Sequence, residues 1–212
     1  MKEEFQKRLL SSLILIPLSF FFIIKGSFLF NFFIIIVFFI TLYEWYMMSK
    51  KESYHFFGYP FLIFSFYTVY SLRNDFGDQS ENLVFFLFIL LICISTDIGG
   101  YIFGKIFKGP KLTKISPNKT ISGALGSIMF SATFASLAIY YFTKNFEPYI
   151  IIVGFVTSIS CQIGDLFFSF LKRKSLLKDT GNFLPGHGGI LDRVDGVLLG
   201  LPIGFLTLLI IY

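Results

Sequence analysis

Long uncharged apolar segments constrain this chain more than any other feature of its sequence. Several of them approach or exceed the roughly 17–25 residues that an α-helix needs to cross about 30 Å of hydrocarbon. Their apolar residues are continuous rather than alternating, which argues against a transmembrane β-barrel. Charged residues make up only 15% of the 212 positions, compared with about 25% in soluble domains. The sequence therefore predicts an all-α, polytopic integral membrane protein, with no stretch long enough for a separate soluble domain.

About seven transmembrane helices are expected from these segments. The first apolar run is not followed by a small-x-small cleavage site, so we expect a retained helix rather than a signal peptide. Pro17 is expected to kink or locally adjust that helix. The predicted helices span approximately residues 9–24, 28–48, 56–72, 83 into the Gly-rich segment at 99–104, 121–142, 149–170 and 194–212.

Basic residues are distributed unevenly between the two sides of this predicted topology. Fifteen of the eighteen Lys and Arg residues fall at the N-terminus, at 50–51, in the loop at 105–119 and within 172–193, and three fall on the other side. Because cytoplasmic loops carry an excess of Lys and Arg, the N-terminus is predicted to be cytoplasmic and the C-terminus external. The same distribution explains the net charge of +5, so that charge does not indicate nucleic-acid binding. We expect a multi-pass protein of the inner (cytoplasmic) membrane.

Residues 169–195, called the polar island below, separate the last two apolar segments. They read S-F-L-K-R-K-S-L-L-K-D-T-G-N-F-L-P-G-H-G-G-I-L-D-R-V-D. Both signs of charge and Gly-rich turns are concentrated here, a mixture that suits a metal ion together with a phosphorylated ligand. We therefore expect a cytoplasmic loop at 171–193, in addition to the basic cytoplasmic loop at 105–120.

Four carboxylates are predicted to lie at the cytoplasmic ends of three different helices. Asp97 is near the end of the fourth helix, Asp165 is near the end of the sixth, and Asp192 and Asp195 open the seventh. An ionisable residue in a membrane span is costly and indicates a functional site. Hard oxygen ligands without a His/Cys cluster favour Mg²⁺ over Zn²⁺. The sequence thus predicts a shared cation site at this face.

Cationic side chains near these carboxylates could balance the charge of phosphate groups. They are Lys119, Lys172, Arg173 and Arg193. Two Gly-rich segments, at 99–104 and 185–189, are expected to form turns whose backbone N–H groups approach a phosphate closely. Together these features predict a site for a nucleotide bound with its metal.

Each of these residues also has a simpler explanation. Asp97 could be solvated at a helix end, and Asp192 and Asp195 could be favoured by the dipole of one helix start, three positions apart. A loop histidine such as His187 is usually polar surface. Glu44, near the end of the second helix, is expected to reach the interface or to pair with a lysine.

The polar island resembles the signature of the phosphatidate cytidylyltransferases, also called CDP-diacylglycerol synthases. The matching positions are Ser169, Leu171, Lys172, Arg173, Lys178, Asp179, Gly181, Phe183, Leu184, Pro185, His187, Gly188, Gly189, Asp192, Arg193 and Asp195. Two further segments resemble the same family: S-T-D-I-G-G-Y-I-F-G-K, which begins at Ser95, and S-P-N-K-T-I-S-G, which begins at Ser116. The resemblance covers about half of the chain, and it implies divergent membrane helices at 1–94 and a catalytic membrane region at 95–212.

The resemblance implies a nucleotidyltransferase that moves CMP from CTP to phosphatidic acid, giving CDP-diacylglycerol and pyrophosphate in phospholipid biosynthesis. It also suggests a homodimer, Mg²⁺ as cofactor and K⁺ as a second cation. The metal ligands expected from topology and resemblance together are Asp97, Asp165, Asp192 and Asp195. The implied catalytic residues are Asp192, Arg193, Lys172, Arg173 and His187. The implied substrate-binding residues are Lys119, Thr120, Lys178, Asp179, Tyr101, Gly188 and Gly189.

One position departs from the family pattern. Members usually have Glu where this chain has Ser122. A carboxylate there could assist metal or nucleotide binding, whereas a serine supplies only a hydroxyl.

Two other functions fit parts of the pattern. A CTP-dependent polyprenol or dolichol kinase would share the basic loops and carboxylates but would transfer a terminal phosphate. A cation transporter would use the intramembrane Asp cluster, although transport sites usually lie near the midplane between discontinuous helices.

Overall fold

The computed structural model describes residues 2–145 and 148–211, and α-helices make up most of this part of the chain. They are α1 (Lys2–Lys25), α2 (Ser27–Ser49), α3 (Gly58–Asn74), α4 (Gln79–Phe107), α5 (Ile121–Thr143), α6 (Tyr149–Lys174), α7 (Leu191–Val194) and α8 (Val197–Ile211). A short 3₁₀ helix at His55–Phe57 precedes α3. The described residues form isolated β-bridges but no strand. The predicted all-α fold class is confirmed.

Five helices of the described chain are long and apolar enough to cross a membrane. They are Ser27–Ser49, Gln79–Phe107, Ile121–Tyr141, Tyr149–Lys174 and Leu191–Ile211, the last combining α7 and α8. Leu9–Lys25 forms a shorter apolar helix. A polytopic membrane protein is therefore confirmed, while the count of seven spans and their orientation stay predictions.

Every predicted apolar segment coincides with a helix, but the last helix differs in detail from the expectation. Pro17 lies within α1, and the expected kink or local adjustment there stays a prediction. The predicted seventh helix is divided by a two-residue turn at 195–196 into α7 and α8.

The chain divides into two compact units. Unit 1 comprises Met1–Leu83 and Leu171–Val194, and unit 2 comprises Val84–Phe170 and Asp195–Tyr212. Most of the polar island therefore belongs to the same unit as α1, α2 and α3. The sequence-based division at residues 94 and 95 concerned divergence along the chain, and it stays a prediction.

Unit 1 is built around α2, which packs against α1 and α3. Phe30 and Leu62 are fully buried in its core. The chain reverses between α1 and α2 at Gly26, whose φ of 64° is readily adopted by glycine. Arg73 of α3 donates from Nε to the carbonyl oxygen of Ile23 at 3.1 Å. This bond satisfies one of the carbonyls that a helix leaves unpaired at its last turn.

Close helix packing through small residues organises unit 2, and it overturns one expectation from the sequence. Residues 99–104 are not a turn but part of α4. A Cβ added to Gly123 of α5 would lie 2.8 Å from the carbonyl oxygen of Gly100, and one added to Gly99 would lie 3.0 Å from Cα of Ser127. These glycines let α4 and α5 approach closely. The prediction of a phosphate-binding turn at 99–104 is wrong, because helical N–H groups bond to carbonyls one turn earlier.

Candidate active site

The candidate residues of unit 1 centre on a buried ion pair. Lys172, at the end of α6, donates from Nζ to Oδ1 of Asp192 at 2.8 Å, and the two side chains are only 11% and 5% exposed. The backbone N–H groups of Thr180 and Gly189 donate to Oδ2 of the same carboxylate at 2.8 and 3.0 Å. We call these four residues the Asp192 cluster. Because both oxygens are engaged, the carboxylate is held in one orientation by the surrounding polar island.

A second buried carboxylate supports the same part of the polar island. Glu44 of α2 is 2% exposed. It accepts hydrogen bonds from the hydroxyl of Thr180 at 3.2 Å and from the N–H groups of Ile190 and Leu191 at 3.0 and 2.7 Å. The expectation that Glu44 snorkels to the interface or pairs with a lysine is wrong, because the amides at the start of α7 bind it instead.

The P-G-H-G-G segment forms the predicted turn. His187 N–H donates to the Leu184 carbonyl at 2.9 Å, and Leu184 N–H donates to the Gly188 carbonyl at 2.9 Å. The two His187 ring nitrogens lie 2.7 and 3.3 Å from the hydroxyls of Ser11 and Ser12 in α1. The ring is therefore half-buried and oriented by two hydroxyl groups.

Arg193 and Arg173 both use part of their guanidinium groups to hold backbone while remaining exposed. Arg193 donates from Nε and Nη2 to the His187 carbonyl at 3.2 and 2.6 Å. Arg173 donates from Nη1 to the Leu177 carbonyl at 3.1 Å. The remaining guanidinium surface of each is exposed to bind an anion.

The other predicted substrate-binding residues of unit 1 surround Asp192 or lie on the surface. Lys178 and Asp179 are exposed. Gly188 has a φ of 84°, and a Cβ added to it would lie 2.9 Å from Oδ2 of Asp192 and 3.1 Å from Cβ of Asp179. A side chain at this position would therefore displace the carboxylate.

The candidate residues of unit 2 centre on a more open ion pair. Lys119 Nζ contacts Oδ2 of Asp165 on α6, and the two side chains are 29% and 30% exposed. Ser169 donates to Oδ1 of the same carboxylate at 3.4 Å. Asp97 of α4 interacts electrostatically with both Asp165 and Lys119. We call these four residues the Asp165 cluster; the shared cation site expected at Asp97 and Asp165 stays a prediction.

The basic loop before α5 is closed by hydrogen bonds that place Lys119. Leu112 N–H donates to the Lys119 carbonyl at 2.8 Å, and Lys119 N–H donates to the Ser116 carbonyl at 3.1 Å. Thr120 is the N-cap of α5, since its hydroxyl accepts from Gly123 N–H at 3.1 Å. Of the predicted binding residues in this loop, Thr120 thus has a clear structural role.

Ser122, the position at which the resemblance implies a glutamate in other members, also closes this loop. Its hydroxyl donates to the carbonyl oxygen of Lys108 and lies 3.1 Å from the hydroxyl of Thr120. An ionised carboxylate could not make the first of these bonds, because it has no proton to donate.

Asp195 lies in the turn between α7 and α8 rather than within a helix. Its Oδ1 accepts from Gly196 N–H at 2.9 Å. A Cβ added to Gly164 of α6 would lie 2.9 Å from the Asp195 carbonyl oxygen, so the turn backbone lies against α6. The expectation that Asp192 and Asp195 share one uninterrupted helix start is wrong, because the helix stops where this backbone contact forms.

Tyr101 of α4 is 68% exposed. Its hydroxyl lies 3.4 Å from Nζ of Lys105, which also stands over the tyrosine ring. This arrangement leaves the ring accessible and does not by itself identify a ligand.

The carboxylates of both clusters are the candidate ligands of the expected magnesium ion. Within residues 2–145 and 148–211, no group of three or more His, Cys, Asp or Glu side chains is arranged to hold a metal ion. Mg²⁺ is commonly held by only one or two carboxylates, with substrate phosphates and water completing its octahedron. Asp97 and Asp165 fit this requirement. The full set of four ligands stays a prediction.

Comparison with known proteins identifies the family. The cytidylyltransferase family model matches residues 61–211. A phosphatidate cytidylyltransferase of Rickettsia felis is 35% identical over 96% of this chain and 92% of its own length. This chain belongs to the cytidylyltransferase family. Phosphatidate cytidylyltransferases of Rickettsia typhi (34% identical, 96% of this chain and 92% of that protein) and Staphylococcus aureus strain COL (37%, 74% and 62%) are also similar.

Membership of the cytidylyltransferase family confirms the resemblance and the prediction of a nucleotidyltransferase that uses CTP. The matched region contains both clusters but not Glu44. Sequence reasoning missed the role of Glu44 because a lone glutamate near a helix end gives no sign of its partners. The glycines at 181 and 189 were an indirect signal in the sequence, because glycine is needed where the backbone packs closely against another group. In the structure both positions pack against the Glu44 carboxylate, with no room for a side chain.

Proposed function

We propose that this cytidylyltransferase is a phosphatidate cytidylyltransferase, which joins CTP and phosphatidic acid to give CDP-diacylglycerol and pyrophosphate. One observation carries the proposal. Relatives with this activity in their names align with nearly the whole chain, including the apolar helices and the polar island. The apolar helices suit a substrate that is itself a membrane lipid.

The reaction needs no covalent enzyme intermediate. An oxygen of the lipid phosphate attacks the α-phosphorus of CTP, the bond to the bridging oxygen of the β-phosphate breaks, and pyrophosphate leaves. Because the nucleophile is already anionic, catalysis consists mainly of positioning and charge neutralisation. We assign neutralisation to the exposed guanidinium groups of Arg173 and Arg193 in unit 1 and to Lys119 in unit 2.

Lys172 has a different role in this proposal. Its ammonium is bound to Asp192 and nearly buried. It therefore fixes the carboxylate and contributes positive charge beneath the polar island, rather than reaching freely toward a phosphate. His187, held by two serine hydroxyls, orients the P-G-H-G-G turn. It also fixes its own carbonyl oxygen, which accepts hydrogen bonds from Arg193.

We further propose Mg²⁺ as the cofactor, with K⁺ as a second cation. Bound Mg²⁺ would neutralise phosphate charge and align the reacting groups. Asp97 and Asp165 would supply its protein oxygens, with Asp192 and Asp195 as additional candidates. Lys119, which is paired with Asp165, would then be available to balance phosphate charge.

The proposed location is the inner membrane, with the active site on the cytoplasmic face and the enzyme acting as a homodimer. The charge distribution supports this orientation, because fifteen of eighteen basic residues fall in predicted cytoplasmic segments. An alkaline phosphatase fused to the C-terminus should be active outside the cytoplasm. An inactive fusion would mean an even number of spans.

Purified protein incubated with labelled CTP, phosphatidic acid and Mg²⁺ tests the function directly. The expected products are labelled CDP-lipid and pyrophosphate. CDP together with a newly phosphorylated lipid alcohol would instead identify a kinase. Cation flux into liposomes in the absence of CTP would identify a transporter.

A further inference from the structure

A buried carboxylate far from the signature holds the polar island in place. Glu44 lies in α2, more than 130 positions before its hydrogen-bond partners. It accepts three hydrogen bonds, one from a hydroxyl and two from backbone amides. A buried carboxylate is tolerated only when such donors replace its water. The three bonds show that the polar island is shaped around this group.

Glu44 and Asp192 accept hydrogen bonds from the same two backbone segments, at 180 and at 189–191. The hydroxyl of Thr180 donates to Glu44 at 3.2 Å, while its N–H donates to Asp192 at 2.8 Å. Gly189 N–H donates to Asp192 at 3.0 Å, and the next two amides of the chain donate to Glu44. Any movement of Glu44 would therefore shift the amides that orient Asp192.

Two glycines make room for this arrangement. A Cβ on Gly181 would lie 2.8 Å from Oε1 of Glu44, and one on Gly189 would lie 2.6 Å from Oε2. Both distances are far below van der Waals contact. The backbone thus approaches the carboxylate as closely as its atoms permit, which leaves little freedom for the loop to rearrange.

We infer that Glu44 is a positioning residue for cytidylyl transfer: it fixes the backbone that orients Asp192 and, through Asp192, Lys172. The inference rests on the proposed function and extends it to a helix outside the region that the family model matches. Glu44 touches no substrate in this role. It acts only through the polar island.

Glu44→Gln tests the role with little change of volume. The new amide group must direct N–H donors at either Ile190 N–H or Leu191 N–H, so at least one bond becomes a repulsion. We expect kcat to fall about 100-fold, because displacement of a catalytic group by about 1 Å has this effect. The KM for CTP should change less than about threefold, as expected for a residue that does not bind substrate.

Amide hydrogen exchange supplies a readout that does not depend on activity. In intact purified protein, Glu44→Gln should accelerate exchange in the peptide covering 178–194 and leave α3 unchanged. Thr41→Val is the matched control, because Thr41 is a buried residue on the same helix whose hydroxyl donates to the Phe38 carbonyl rather than to the polar island. It should leave both kcat and exchange at wild-type values.

Thr180 provides a rescue experiment. Thr180→Val removes the hydroxyl donor and should lower kcat about tenfold, whereas Thr180→Ser keeps the donor and should stay within about threefold of wild type. Combined with Glu44→Gln, the valine variant should add little further loss, since both changes remove the same interaction. Additive losses would contradict the inference.

The inference is overturned if Glu44→Gln keeps kcat within twofold of wild type. It is also overturned if exchange rises uniformly across the protein, since that indicates general destabilisation. Failure of the proposed function is distinguishable. A wild-type protein that makes no CDP-lipid refutes phosphatidate cytidylyltransferase activity, whereas the exchange experiment still tests the Glu44 network.

Discussion

Asp192 and Asp165 are both paired with a lysine, but their surroundings differ sharply. In the Asp192 cluster of unit 1, the carboxylate is 5% exposed and accepts from Lys172 and two backbone amides. In the Asp165 cluster of unit 2, the carboxylate is 30% exposed and accepts from Lys119 and, at 3.4 Å, from the hydroxyl of Ser169. The Asp192 carboxylate is therefore fixed by backbone donors, whereas the Asp165 carboxylate is held mainly by the flexible side chain of Lys119.

This difference predicts that the two clusters respond differently to a bound ligand. Backbone donors cannot leave without unfolding the loop, so we expect the Asp192 cluster to stay rigid. A half-exposed lysine can exchange one anionic partner for another at little cost. The Asp165 cluster is therefore the part that we expect to respond when a nucleotide and its cation bind.

The largest expected effect is that of Asp192→Asn. The change removes the charge that Asp192 places against the nearly buried Lys172 ammonium and weakens the acceptor for two amides. We expect turnover to fall by about 1,000-fold or more, while membrane insertion is retained. CDP-lipid formation by the purified variant measures this effect, with the exposed Asp75→Asn as control. Normal turnover would remove Asp192 from the site.

Substituting each lysine in turn tests whether the two clusters truly differ in rigidity. Lys172→Gln leaves a buried carboxylate unpaired and should destabilise the protein by about 3–5 kcal/mol. Lys119→Gln breaks a partly exposed pair and should change stability by less than about 1 kcal/mol. Unfolding in the same detergent measures both. Equal losses of unfolding free energy in the two variants would show that the two ion pairs contribute equally to stability.

A smaller effect is expected from Ser122→Ala in unit 2. Loss of the hydroxyl bond to the Lys108 carbonyl should loosen the loop that places Lys119, raising the KM for CTP about fivefold, as expected from a bond worth about 1 kcal/mol. Ser136→Ala on the same helix is the control, because that hydroxyl bonds only within α5. Unchanged KM in the Ser122 variant would mean that the loop is held by its backbone bonds alone.

The smallest effect is expected from Tyr54→Phe at the edge of unit 1. Burial raises the pKa of the Tyr54 phenol, so the group stays protonated at neutral pH. Its hydroxyl lies 2.7 Å from that of Ser175 and donates to the Leu171 carbonyl at 3.3 Å. Removing it should lower stability by about 0.5–1.5 kcal/mol and leave kcat within twofold. A fall in kcat of more than twofold in a variant of normal stability would mean that the loop containing Tyr54 also takes part in function.

The helices and the family were predictable because their signals are local or contiguous in the chain. A run of about 20 apolar residues can satisfy its backbone in lipid only as a helix, so its position follows from composition alone. The signature at 169–195 places its charged residues at fixed spacings, and the match with relatives confirms what that pattern indicated. Asp97 and Asp165 were singled out for the same reason, because both occur near the ends of apolar runs, and their shared cation site stays a prediction.

The errors arose where a residue's role depends on what another segment brings to it. The glycines at 99–104 resemble a phosphate-binding turn in isolation, yet α5 packs so closely against them that they belong to a helix. The helix expected to begin at Asp192 stops at Asp195 because that backbone lies against Gly164. Neither of these contacts could be inferred from the residues that adjoin it in the sequence.

The amino-acid sequence by itself determined that this protein crosses a membrane, where its helices lie and to which family it belongs. Tertiary structure alone decided which of its carboxylates are rigid. Glu44 and Asp192 are fixed because folding brings backbone amides to them, those of 190 and 191 to Glu44 and those of 180 and 189 to Asp192. Asp165 is less firmly fixed, because its partner is the side chain of Lys119. The physical reason is that a backbone donor is immobilised by the whole loop, whereas a lysine ammonium is tethered only by its own flexible side chain.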